Sequence, residues 1–308
     1  MAAACSNGES DRPTLASAAT TTSASTTAPP VPATTPPSSQ PLFDAVCAGR
    51  VRFDTTGAAP KEFSEISGLA ASRRFPDIMW AHEDSGGSPT VTALGLDGSV
   101  RATVKLTNAL NLDWEDIALA PGPGGRDHLY VADIGDNFTL RSQVTSYAFP
   151  EPDITNNRSP IEIRAEPIVS KYPTGATDAE AFGVDGFGTM WIIAKSVGTA
   201  PAIYRQAIGE KEFTRLVEPA PIDPKEGVSA LDISPDGRLL AIRTINTLTL
   251  VELTGGVASA NTGRRCAAPA PKEVQGESVA FLFTRAGLAT MSEGNGTDPG
   301  EVHVLRVI

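Results

Sequence analysis

Ile66-Ser67-Gly68-Leu69-Ala70, Trp114-Glu115-Asp116-Ile117-Ala118, Ala179-Glu180-Ala181-Phe182-Gly183, Val228-Ser229-Ala230-Leu231-Asp232 and Gly276-Glu277-Ser278-Val279-Ala280 are five copies of one short strand pattern. Their second positions lie 48, 65, 49 and 48 residues apart. A period of about 40 to 50 residues with several short strands per repeat marks propeller blades, because each unit buries its apolar faces only against its neighbours. The spacing predicts an all-β chain folded as a five-bladed β-propeller, with six blades as the alternative. In the first repeat, strands are expected at 65–71, 78–82, 90–96 and 100–106, and Asp97-Gly98 supplies the positive φ angles of a tight hairpin. The second strand of most repeats opens on a large apolar pair: Met79-Trp80, Leu129-Tyr130, Met190-Trp191 and Leu239-Leu240. The long interval comes from an extra loop over residues 151–159, where a sixth blade would need a strand pattern that the loop lacks.

The two ends of the repeat region bear on closure. The last repeat supplies only three strands, and Gly49-Arg50-Val51-Arg52-Phe53 is a spare one. Pairing the spare as the outer strand of the last blade completes four strands and removes an exposed edge. Cys47 would then lie beside Cys266 in the outer part of the fourth blade, which predicts a disulfide; two unpaired cysteines are the alternative.

Composition bounds the partners and the compartment. The chain has 308 residues and a formal net charge of −11, and no run of Lys or Arg gives it a basic stripe. Nucleic acid is therefore not expected as a ligand, since that binding is driven by cations neutralising phosphates. No stretch of 18 apolar residues exists to span a bilayer. Ala3-Ala4-Cys5-Ser6 looks like the end of a bacterial lipobox, with Cys5 as the lipidated residue, although the charged and apolar regions of a signal are missing before it. Residues 6–41 are Ser, Thr, Pro and Ala with little to bury, a composition expected to remain a disordered tether. The expected organisation is thus a lipobox remnant at 1–5, a tether at 6–41 and a propeller at 42–308. The expected protein is an exported monomer on the outer face of the cell membrane, or secreted, that touches the membrane only through its anchor.

Several further motifs carry a resemblance. They are Asp84-Ser85-Gly86, the Asp113 to Ala118 run, Asp133-Ile134-Gly135-Asp136-Asn137 with Arg141, and Asp178-Ala179-Glu180-Ala181. Ser234-Pro235-Asp236-Gly237 and Gln275-Gly276-Glu277-Ser278 with Ser292-Glu293-Gly294 complete the set. Over residues 64–295 the chain resembles a group of largely uncharacterised exported bacterial propeller proteins, which in turn resemble propellers described as phytase-like or esterase-like. The resemblance implies hydrolysis of ester or phosphoester bonds as an activity to weigh. Glu83 stands where Asn is expected before Asp-Ser-Gly, a departure at that corner.

Inner strands of a propeller line its channel, so the repeat column places Glu115, Glu180 and Glu277 around one axis, with Ser67 and Ser229 between them. Glu65, Asp113 and Asp178 point the same way, because strand side chains alternate with period two. The ends of the second strands add Glu83, Asp133, Lys195, Arg243 and Glu293. Three readings fit this pattern. Glu115, Glu180 and Glu277 could hold Ca²⁺, whose six to eight oxygen ligands suit clustered carboxylates. Asp133, Asp136 and Glu293 would then form a second rim of acceptors, with Lys195 and Arg243 clamping a phosphate or carboxylate. The same charges could instead form an ion-pair network between blades, or the Asp and Asn residues could be turn residues bonded to their own backbone.

Other catalytic templates are poorly matched. His82, His128 and His303 show no metal-ligand spacing, and only His82 could approach the mouth as a general base. Nucleophile elbow, Walker and dinucleotide motifs are missing. Facing carboxylates are compatible with glycoside hydrolysis, but nothing separates acid from base. Trp80, Trp114 and Trp191 fall at repeated strand positions and read as core. The expected function is binding of a small anionic or metal-bridged ligand, or a cell-envelope component, at the channel mouth. A metal-dependent phosphoester or ester hydrolase and a protein-interaction scaffold are the rivals.

Overall fold

Five sheets, antiparallel apart from one added edge strand, make a five-bladed β-propeller. The computed structural model describes residue 1 and residues 36–156, 159–196, 198–223, 225–283, 287–294 and 300–308, of which Pro36–Ile308 form one compact unit. Cys5 and the remainder of 2–35 lie outside the described residues. The inner strands are Ile66–Ala71, Trp114–Pro121, Ala179–Val184, Val228–Ile233 and Gln275–Phe281, one for each of blades one to five. The second strands are Ile78–Glu83, Asp127–Asp133, Met190–Ala194, Leu239–Thr244 and Leu288–Glu293.

Among the described residues, the 151–164 region makes no sixth blade. Ile161–Ile163 runs parallel to Val100–Leu106 as a fifth strand of blade one, and Glu166–Ser170 closes blade two. Apolar clusters fill the spaces between neighbouring blades. Trp80 and Trp114 are fully buried between blades one and two with Leu129, Val131 and Phe149. Trp191 is buried with Leu231, Leu240 and Ile242 between blades three and four. The repeated aromatic positions are therefore core.

Every inner strand carries a register slip at the repeat column. The slips fall between Trp114 and Asp116, Ala179 and Ala181, Val228 and Ala230, and Gly276 and Ser278. In blade one the slip runs from Ile66 to Leu69. A bulge leaves one residue out of the ladder and re-aims its side chain. The extra residues are Glu115, Glu180, Ser229 and Glu277, so simple alternation along the strand understates how this column reaches the channel.

Val51–Ala58 pairs with Glu301–Val307 and completes blade five, as the spare strand predicts. Before it lies a helix the sequence reading did not anticipate, α1 (Gln40–Cys47), which begins inside the stretch assigned to the tether. Eight residues are too few to show a helical period or to be stable alone. Its stability comes from burying Leu42, Phe43, Ala45 and Val46 against Leu248, Leu250 and Ala268 of blade four and Leu305 of blade five. At its start the Ser39 amide and hydroxyl each donate to the Asp236 carboxylate at 2.8 Å. At its end Cys47 is bonded to Cys266, with Cα atoms 5.1 Å apart. Helix, disulfide and closing strand thus clasp the joint between the first and last parts of the ring. Reducing this bond reopens a loop of 219 residues. The expected effect is a loss of about 2–4 kcal/mol, read as a lower melting temperature with dithiothreitol or in Cys47→Ser/Cys266→Ser; an unchanged melt would contradict the clasp.

Candidate functional site at the acidic channel mouth

An inner strand is the last strand of its sheet, so the N–H groups on its channel side have no ladder partner and must be satisfied otherwise. Asp116, one residue past the bulged Glu115, does this for three blades. Its Oδ1 accepts from the Ile117 amide at 2.8 Å, and its Oδ2 from the amides of Phe182 at 2.9 Å and Leu231 at 3.1 Å. Complete burial pushes the Asp116 carboxyl well up, against the pull of these three donors. Asp232 does the same for the next joint, accepting from Ile233 at 2.8 Å and Phe281 at 2.7 Å. Ser67 donates to the Glu115 carbonyl at 2.5 Å and Ser229 to the Gly276 carbonyl at 2.7 Å. The Glu and Ser of the column are thereby held in fixed places around the axis.

Above this layer the column opens into a cup of about 80 Å³, room for an ion with a few waters rather than a bulky molecule. Six carboxylates line it, from Glu65, Asp84, Glu115, Glu180, Glu277 and Glu293, with Asn137 and Gln275 among them. Lys195 is the only cation in the lining among the described residues, and it pairs with Glu180. Asp113 and Asp178 complete two triads that share one member. Asp84, Asp113 and Glu115, and likewise Glu115, Asp178 and Glu180, each bring three oxygens within 4.8 Å of one another.

Glu115 is 4% exposed, and its carboxylate lies against that of Glu180. Burial, and then the neighbouring Glu180, push its carboxyl well above the usual range. Burial raises Glu277 to about 7, although the Gln275 amide donates to it. Asp84 is raised to about 6 by burial and by Asp113. Asp113 is raised by burial and by Asp178 and Glu180. Burial works against the charge of Lys195, but Glu180, Asp178 and Glu115 outweigh it and hold the ammonium higher. Gly135 makes room for the shared triad member: a Cβ there would stand 2.0 Å from Glu115 Oε1 and 2.5 Å from Asp113 Oδ2.

The structure separates the sequence-derived candidates into two groups. Glu115, Glu180, Glu277, Lys195 and Glu293 meet in the cup. Asp133, Asp136 and Arg243 do not line it. Asp133 is buried and paired with Arg141 at 2.8 Å. The Asp136 carboxylate accepts from the amides of Leu140 at 2.8 Å and Arg141 at 2.7 Å, which is turn chemistry. Arg243 is fully buried, lies against Gly276 where a side chain would clash, and pairs with Glu273, whose other oxygen accepts from Thr290 at 2.8 Å. Arg243 is therefore committed to a buried pair and does not clamp a ligand at the mouth. His82 is also buried, edge-on to Trp114 at 5.5 Å, and burial lowers it to about 4, so it stays neutral in the core. Asp84, Asn137 and Gln275 were not singled out as ligands. Asp113 and Asp178 were legible from their shared place two residues before the column, whereas Asp84 sits on a loop with no repeat partner.

No family model matches the chain, and no curated protein matches it. Solved structures with a similar fold include an auxiliary nutrient binding protein from Bacteroides thetaiotaomicron, at 8% identity and TM-score 0.45, covering 83% of this chain and 76% of that one. A gluconolactonase from Xanthomonas campestris aligns at 11% identity and TM-score 0.47, over 86% and 92% of the two chains. A putative oxidoreductase (glucose dehydrogenase) from Thermus thermophilus aligns at 11% identity and TM-score 0.48, over 83% and 100%. At these identities the likeness describes the propeller and nothing of its mouth.

The raised carboxyls set a pH dependence. Asp84 and Glu277 hold protons in the fold at pH values where the unfolded chain has already lost them, so their contribution to stability is complete below about pH 4 and is lost as pH rises through about 6 and 7. In chelator, the melting temperature is expected to fall between pH 5 and pH 8, and Glu277→Gln is expected to flatten that fall. A melt that rises across this range would contradict the assignment.

Proposed function

We propose that the cup binds a hard divalent cation, Ca²⁺ first among candidates, and through it the anionic group of an extracytoplasmic ligand. The observation that carries this reading is Glu115, a buried carboxylate that lines the cup and belongs to both triads, with Asp84, Asp113, Asp178 and Glu180 around it. Two carboxylates about 4 Å apart repel by about 4 kcal/mol at an effective dielectric of 20. A cation bridging both triads removes that cost, and its oxygen-only ligand set suits Ca²⁺. Glu115, Glu180, Asp84, Asp113 and Asp178 are the ligands in this reading, and Glu277 and Glu293 complete the charge. Lys195, half exposed at the rim, would meet an anion held on the ion. A disulfide supports an oxidising, extracytoplasmic compartment, and Cys5 remains the residue proposed for a lipid anchor.

One observation favours a second reading, hydrolysis of an ester or phosphoester by water activated on the cation. Glu277 stands in the same cup with its carboxyl near 7, a value suited to moving a proton at neutral pH.

Calorimetric titration of the full chain with Ca²⁺, paired with thermal melts, tests the primary reading. At about a hundred times its Kd the ion stabilises by about 2.7 kcal/mol, and a chelator reverses the shift. Glu115→Gln is expected to weaken Ca²⁺ at least tenfold while raising the ion-free melting temperature at pH 8, because it removes a repelled charge. Gly135→Ala is expected to weaken Ca²⁺ similarly without changing the number of acids. A chain that neither binds Ca²⁺ nor shifts its melt would sink the reading. For hydrolysis, a screen of phosphate monoesters and lactones with Ca²⁺ decides: Glu277→Gln should abolish turnover and keep the Ca²⁺ shift.

A further inference from the structure

The third and fourth blades each carry a cation near the end of the second strand, and the fold treats the two differently. The Arg243 side chain, on blade four, is 1% exposed and fixed in the core on Glu273. Lys195 follows Met190–Ala194 on blade three, and its side chain is 40% exposed and lines the cup. Its amide donates to the Asp178 carbonyl at 3.0 Å, so the lysine starts from the backbone of one triad member. Its ammonium lies on the Glu180 carboxylate, a second member of the same triad, and 3.5 Å from Asn137 Oδ1.

A cation therefore already stands in the acidic cup, and it is part of the chain. Glu180 cannot give its full charge both to this ammonium and to a divalent ion, and two positive charges at one carboxylate repel each other. Lys195 is able to yield. Lysine carries a compact, strongly hydrated charge on a flexible stem. This one is already partly in water, so it can leave Glu180 without drawing a buried side chain out of the core. Arg243 has no such exit, being fully buried against Gly276. Burial opposes the charge of Lys195, and Glu180, Asp178 and Glu115 hold it there. An ion of higher charge bound to those carboxylates removes that hold.

We propose that Lys195 is a tethered competitor for the cation in the cup: it neutralises Glu180 while the cup holds no ion, and a divalent cation displaces it to the rim, where it meets the anionic group of the ligand. The inference rests on the cation reading and adds the order of events. The ammonium that receives the anion is engaged until the cation arrives, so cation and anion bind cooperatively. The coupling is reciprocal: the factor that Ca²⁺ adds to anion affinity is the factor that the anion adds to Ca²⁺ affinity.

The test compares the full chain with Lys195→Met and Lys195→Arg by calorimetry and thermal melts, with Ca²⁺ and methyl phosphate as probes. Lys195→Met is expected to bind Ca²⁺ about tenfold tighter than wild type, because no competing charge remains. Once loaded with Ca²⁺, it is expected to bind methyl phosphate about threefold more weakly, having lost a partly exposed ion pair. A lysine with a merely structural role would not move the two probes in opposite directions. Lys195→Arg restores the competing charge and is expected to bring Ca²⁺ affinity back to within about threefold of wild type. In chelator at pH 8, Lys195→Met is expected to melt below wild type, and saturating Ca²⁺ to close the gap as the ion takes over from the ammonium. Unchanged or weaker Ca²⁺ binding by Lys195→Met would overturn the inference and leave the cation reading standing. So would Lys195→Arg binding Ca²⁺ as tightly as Lys195→Met, since room in the cup rather than charge would then set the affinity. Ca²⁺ binding by none of the three chains would end both readings.

Discussion

Closing five sheets into a ring turns five inner strands toward one another, and each presents an unpaired edge to a space too narrow to be bulk water. Leaving one buried N–H without a partner costs about 1–3 kcal/mol. The constraint is met in part by Asp232 and above all by Asp116, one residue beyond its bulge, whose two oxygens take amides from three blades. Trp80, Trp114 and Trp191 are among the buried side chains that pack neighbouring blades together. The bulges take Glu115, Glu180 and Glu277 out of the ladder and re-aim their side chains. Fold and site therefore share their central residues.

The electrostatics of the mouth follow from the same arrangement. Two buried carboxylates outside the cup have a cation beside them: Asp133 has Arg141, and Glu273 has Arg243. In the cup, among the described residues, six lining carboxylates face a single ammonium. Asp133 and Arg243 belong to structural pairs and Asp136 to a turn, whereas Glu115 and Glu277 lie in the cup beside Glu180, which pairs with Lys195.

Much of this was legible because repetition converts one strand into a place on an axis. The column identified the inner strands, the spare strand at Val51–Ala58 and the Cys47–Cys266 bond followed from ring closure, and the column glutamates fall in the cup. What escaped reading lacks a repeat or a period. Helix α1 is eight residues long and owes its existence to blades four and five. Arg243 occupies the same column position as Lys195, yet its charge is absorbed by Glu273, a partner 30 residues away with no counterpart in the other blades. Asp84 sits after a strand end without a matching loop elsewhere. Asp116 could have been suspected as a charged residue in a buried inner strand, but its three acceptor bonds depend on bulges that alternation does not reveal.

The most direct measurement of the central claim is anomalous diffraction from crystals grown with Tb³⁺ in place of Ca²⁺. The account predicts one strong peak in the cup, within about 2.3–2.6 Å of oxygens from Glu115 and at least one other triad member, and no peak at Asp133, Asp136 or the Arg243–Glu273 pair. An empty cup under those conditions, or density at the rim with the triads unoccupied, would contradict it.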